Sequence, residues 1–77
     1  MPYDKIKEEL KRSIILHGDF KSLKDAEGII WEEFDELIAE TRKVKFQDNI
    51  TRYGKDSIKE EAIQLAAMCV KLINYIG

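Results

Sequence analysis

Seventy-seven residues are enough for one small folding unit and exclude a second. With 36% charged and 44% hydrophobic residues the composition is that of a folded chain, and a disordered one is excluded. Thirteen basic against fifteen acidic side chains give a net charge of -2, a balance that argues against a nucleic-acid binder. No apolar run approaches the roughly 20 residues needed to span a bilayer, and no signal-peptide-like apolar stretch follows Met1, so no membrane association is expected. The lone Cys69 rules out an intramolecular disulfide and a cysteine-based zinc site, and the expected setting is a reducing cytoplasm.

Four glycines and one proline leave few turns and favour long helices. The first helix is expected from about Asp4 to His17, with Asp4 as N-cap, Ile6, Leu10, Ile14 and Ile15 or Leu16 as its apolar stripe, and Gly18 as its stop. The second opens at Ser22, where Ser22-x-x-Asp25 has the form of a capping box, and runs to about Lys43. The third opens at Ser57, where Ser57-x-x-Glu60 repeats that signal, and runs to Tyr75. Residues 44–56 read as a loop, and no segment alternates with the period of a half-buried strand. The expected fold is all-α, a three-helix unit assembling into an oligomeric helical bundle. The oligomer is expected because a chain this short buries only about 60% of its unfolded surface and carries no disulfide or zinc to compensate.

Charge is unevenly spread. Residues 25–40 carry seven acidic groups and no basic one, whereas residues 41–59 carry six basic and two acidic. At about 100° per residue, Ile30, Phe34, Leu37 and Thr41 form one face of the second helix, and Glu33 falls about 80° from its centre with Glu36 on the same side. On the third helix, Ile58, Ala62, Leu65, Cys69, Leu72 and Ile76 form the expected core face. Glu61 falls about 80° from that centre, with Gln64 further round the same flank. If the two faces pack antiparallel, Glu33, Glu36 and Glu61 converge. Such clustering is costly unless a cation sits among the carboxylates or protons are retained, and hard divalent ions prefer oxygen ligands. Spacing alone is also satisfied by a solvated face, since Glu is a good helix former and i, i+3 pairs are common there.

Beyond spacing, Glu32-Glu33-Phe34-Asp35-Glu36 resembles the E-E-x-x-E motif of the MazG-like all-α nucleoside triphosphate pyrophosphohydrolases, and Glu61-Ala62-Ile63-Gln64 sits where that family has E-x-x-D. The run Glu61 to Met68 and the loop His17-Gly18-Asp19-Phe20 are similar to small phage and bacterial members, and the likeness covers roughly residues 16–75. The resemblance implies a homodimer or homotetramer that binds Mg²⁺ or Mn²⁺ and hydrolyses a nucleoside triphosphate to the monophosphate and pyrophosphate. By position it implies Glu33, Glu36, Glu61 and Gln64 as metal ligands and Glu32 as an auxiliary acid that orients water. Gln64 departs from the family's Asp. Its amide oxygen can coordinate but brings no charge, so metal affinity should fall. The alternative is a non-catalytic helical scaffold of the same type that binds a protein partner or a nucleotide.

Arg42, Lys45, Arg52 and Lys55 flank the acidic helix and are candidates for substrate phosphates, Arg by bidentate contacts. Arg42 and Lys43 equally suit a helix C-terminus, which favours cations. Trp31 is a candidate for stacking on a base or for burial at a subunit interface. Phe20 is expected to pin its loop to the core, His17 to sit on the first helix's dipole, Met68 to fill an interface gap, and Cys69 to face the core and be inert.

Overall fold

A computed structural model describes residues 2–45 and 52–77. Three helices account for nearly all of them: α1 over Pro2–His17, α2 over Leu23–Lys45 and α3 over Arg52–Ile76. No strand occurs among the described residues, so the chain is all-α there. None of the helices is long and apolar enough to cross a membrane.

Local chemistry sets the boundaries. Pro2 opens α1, the position where its fixed φ suits a helix and its missing N–H costs nothing. The helix therefore starts two residues before the expected Asp4 cap. Gly18 ends it with φ +72°, the left-handed conformation that glycine adopts without strain, and its N–H donates to the Ile14 carbonyl at 2.8 Å. Ser22 caps α2 as expected, its hydroxyl accepting the Asp25 N–H at 3.0 Å. The Asp25 carboxylate in turn accepts the Lys21 N–H at 3.1 Å.

The third boundary differs from expectation. α3 begins at Arg52, so Gly54 and Ser57 lie inside the helix and the Ser57 capping signal is not used. A Ser-x-x-Glu pattern is compatible with a helix interior, and one glycine near a helix start costs only about 1 kcal/mol. α2 likewise extends to Lys45, and the part of the expected loop at 46–51 lies outside the described residues.

The chain runs up, down and up. Phe20, just before α2, stacks edge-on against Tyr75 near the end of α3, with ring centroids 6.1 Å apart, while Glu33 and Glu36 meet Glu61 about midway along both helices. α2 and α3 are therefore antiparallel. α1 lies parallel to α3: Ser13 reaches Met68 and Lys71, and Ile6 shares a groove with Ala62 and Ile63. Both α1 and α2 pack on α3, and among the described residues the backbones of α1 and α2 do not approach each other closely.

The apolar core is small. Phe20, Ala26, Ala67 and Met68 are buried, with Ile6, Leu10, Ile29, Ile30, Leu72 and Tyr75 packed around them. Ala26 and Ala67 are fully buried and, lacking bulk, let α2 and α3 approach closely. Phe20 pins its loop to this core, as its composition led one to expect.

The core faces are rotated from the expected ones. On α3 the inward residues are Ala67, Met68 and Lys71, whereas Cys69 is exposed, one residue and about 100° away. Ala62 and Ile76 are also exposed, and Leu65 is half-buried. On α2 Ala26 is innermost and Phe34 is 42% exposed. Ile14, Ile15 and Leu16 of α1 face outward as well. The reason is architectural. α3 serves two partners at once, so its inward arc spans the face between two apolar stripes and includes polar positions.

Candidate functional site

That rotation brings the acidic residues inward. Glu33 of α2 is half-buried on the face that meets α3, and Glu61 of α3 is half-buried opposite it. Each of Glu33, Glu36 and Glu61 offers a carboxylate oxygen within 4.8 Å of the other two. Glu33 Oε2 and Glu61 Oε2 are buried, and no N–H or hydroxyl donor reaches either. Buried polar atoms are normally satisfied, so these two oxygens call for a proton shared among the carboxyls or for a cation.

The electrostatics follow from the crowding. Burial, then the nearby Glu36, Glu9 and Glu32 charges, raise the Glu33 pKa. Glu61 is pushed up from 4.5 to about 7 by burial, by a hydrogen bond with Glu36 and by the charges of Glu36, Glu33 and Glu40. A hydrogen bond between two carboxyl groups requires a proton on one of them. Near neutral pH, the cluster by itself holds a proton that a cation would displace.

Beside the cluster a cleft of about 390 Å³ opens between α1 and α2, because these helices do not close on each other. Gln64, Met68 and Lys71 of α3 line its floor. Glu9 from α1 and Glu32 and Glu33 from α2 line it at the level of Gln64. Arg12, Ser13 and His17 of α1 line it toward Lys71. From Gln64 to Lys71 the helix rises about 10 Å, so the cleft is acidic at one end and basic at the other.

The sequence-derived candidates distribute as follows. Glu33, Glu36 and Glu61 come together; Glu32 is exposed on the cleft wall, and Gln64 lies one turn beyond Glu61 on the cleft floor. Trp31 is 64% exposed, with its ring centroid 6.0 Å from that of Phe34, and lines a separate shallow groove with Lys24, Glu27 and Gly28. Arg42 and Lys55 are exposed near the end of the bundle where α2 leads to α3, and neither lines the cleft. The side chains of Lys45 and Arg52 lie outside the described residues.

Lys71 and Ser13 were not among those candidates. Lys71 is only 3% exposed. Its Nζ donates to Ser13 Oγ at 3.0 Å and lies 4.8 Å from the centre of the Phe20 ring. Ser13 Oγ in turn reaches Met68 Sδ at 4.0 Å. The available signal was a lysine on the apolar third helix, three residues after Met68, where a lysine is readily assigned to solvent. No family model, no curated protein and no solved structure matches this chain.

Proposed function

We propose that the protein is a Mg²⁺- or Mn²⁺-dependent nucleoside triphosphate pyrophosphohydrolase of the MazG-like type, acting as a homodimer or homotetramer. The observation that carries this reading is the convergence of three carboxylates with two orphaned buried oxygens. The donor set fits a hard divalent ion: it is all oxygen, and its mutual repulsion is relieved by positive charge. Glu33, Glu36 and Glu61 would hold the ion, with the Gln64 amide oxygen as a further neutral donor. When bound, such an ion offsets the triphosphate charge and polarises the phosphorus that water attacks. Glu32, on the cleft wall beside Glu33, accepts a hydrogen bond from the attacking water and orients it. The water oxygen bonds to the α-phosphorus, the bond from that phosphorus to the α–β bridging oxygen breaks, pyrophosphate leaves with the bridging oxygen, and the proton lost by the water passes to solvent. No covalent nucleophile is needed. Exposed Trp31, Phe34, Ile15, Ile73 and Ile76 supply apolar surface for contact between copies.

The test is pyrophosphate release from a panel of nucleoside triphosphates with Mg²⁺ or Mn²⁺. Wild-type protein should turn over at least one, and Glu33→Gln or Glu61→Gln should abolish it. No turnover across the panel rejects the hydrolase. Gln64 favours the second reading, a scaffold without chemistry, which a micromolar Mn²⁺ isotherm by calorimetry would in turn reject.

A further inference from the structure

Lys71 is a buried cation without a counter-ion. No carboxylate lies within salt-bridge distance of its Nζ among the described residues; its partners are a hydroxyl and an aromatic face. Lysine is almost never fully buried unless paired, because removing an ammonium from water is costly. Ser13 and Phe20 offset part of that cost, but neither carries charge. The charge of Lys71 is therefore left uncompensated within the chain's described residues.

The surroundings identify the group that would compensate it. Lys71 and Ser13 line the cleft, and Arg12 and His17 of α1 line it at the same end. Lys71 Nζ retains donor capacity beyond its one bond to Ser13, since an ammonium carries three N–H groups. Arg12 offers a planar guanidinium suited to bidentate oxyanion contacts. Its nearest carboxylate, Glu9, is 3.9 Å away on an exposed edge of the same helix, a pair too weak to hold it against an anion. The acidic end of the cleft, about 10 Å away along α3, repels anions and would direct one to this end.

We propose that Lys71, with Ser13 and Arg12, forms an oxyanion subsite that takes the pyrophosphoryl portion of a phosphate-chain ligand at the basic end of the cleft. The subsite deepens the hydrolase reading by naming where the phosphate tail of the substrate rests. It rests on that reading only for the identity of the nucleotide. Lys71 contacts phosphate oxygens directly, and Ser13 holds Nζ at the cleft surface.

The experiment uses inorganic pyrophosphate as the probe, with the full chain in metal-free, mildly acidic buffer of fixed ionic strength. Binding is followed by calorimetry and by amide chemical-shift mapping. Wild-type protein should bind, with the largest shifts at residues 12, 13, 17, 68 and 71. Lys71→Met, which keeps the length of the side chain and removes its charge, should weaken binding by about ten- to a hundredfold, the size of a lost charge-assisted hydrogen bond. Lys7→Met, which removes an exposed charge elsewhere on α1, should leave binding unchanged. Wild-type protein that does not bind, shifts centred away from this end of the cleft, or equal affinity in Lys71→Met each overturns the subsite. The wild-type shift map decides even if Lys71→Met fails to fold. Failure of the two proposals is separable. Lys71-dependent pyrophosphate binding without nucleotide turnover rejects the hydrolase and keeps the subsite. Turnover with pyrophosphate affinity and KM unmoved in Lys71→Met does the reverse.

Discussion

The Glu61 carboxyl gives the sharpest test of whether the acidic cluster is strained in the absence of a cation. Its pKa rises from 4.5 to about 7 on folding, first through burial and then through Glu36 and the neighbouring charges. A group with a raised pKa binds its proton more tightly in the folded state. Its protonated form therefore costs the fold nothing below about pH 4.5, and the penalty grows as pH rises through 7. A shift of that size has a ceiling of roughly 3 kcal/mol, at about 1.4 kcal/mol per pH unit. Water reaches the half-exposed carboxyl and screens it, which leaves about 1–2 kcal/mol. For a domain of this size that is on the order of 5–15 °C in Tm. Glu33 shifts in the same direction and adds to the effect.

The assay is thermal unfolding in EDTA at one protein concentration, at about pH 5 and about pH 8, for wild type and Glu61→Gln. Wild type should lose stability between the two conditions. Glu61→Gln, neutral throughout, should be the more stable protein at the higher pH and close to wild type at the lower. Adding Mn²⁺ at the higher pH should raise the wild-type Tm and leave Glu61→Gln nearly unmoved. A Glu61→Gln protein no more stable than wild type near pH 8 would refute the claim that these carboxylates are held together against their repulsion.

Two further outcomes bear on the same structure. Ser22→Ala removes the hydroxyl that accepts the Asp25 N–H and should cost about 1 kcal/mol, read as a fall in Tm of about 4–8 °C, with Ser22→Asp close to wild type. Gln64→Asp adds a fourth carboxylate beside Glu61. Without metal the added repulsion, about 1 kcal/mol, should lower Tm near neutral pH by about 4–8 °C, and by calorimetry the substitution should tighten Mn²⁺ binding by about tenfold.

What could be read in advance was what one helix fixes by itself. The 100° step sets Glu33 beside Glu36 whatever the partners do, and the antiparallel pairing of two long helices brings Glu61 to them. Ser22 and Gly18 act through backbone rules that need no tertiary context. The azimuth at which each helix meets its neighbours is a different matter. An apolar stripe on α3 through Ala62, Leu65, Cys69 and Leu72 looks like a core face, yet Cys69 is exposed and Lys71 is buried. Hydrophobicity ranks a lysine as the last residue to turn inward. The groups that meet it, the hydroxyl of Ser13 and the ring of Phe20, are distant in sequence and invisible to a single-helix reading. The start of α3 escaped for a similar reason, because Ser57-x-x-Glu60 has the same appearance at a helix start and inside a helix.

The distribution of polarity in this bundle runs against what stability alone would select. Burying a leucine or isoleucine side chain contributes about 1.5–3 kcal/mol, and a chain this small has few such contributions to spare. Yet α3 turns Glu61, Gln64 and Lys71 toward its partners, α2 contributes Glu33, and α1 contributes Ser13. Meanwhile Ile15 and Leu16 on α1 and Ile73 and Ile76 on α3 stay largely exposed, and Ile14 nearly half so. The inward polarity goes with one feature: the backbones of α1 and α2 stay apart on either side of α3, and the surface between them is an open cleft. Leu16, Ile29 and Met68 line the cleft alongside the charged groups, so its walls are mixed in character. A bound cation would relieve the repulsion among the carboxylates at one end, and a bound anion would compensate the buried Lys71 at the other.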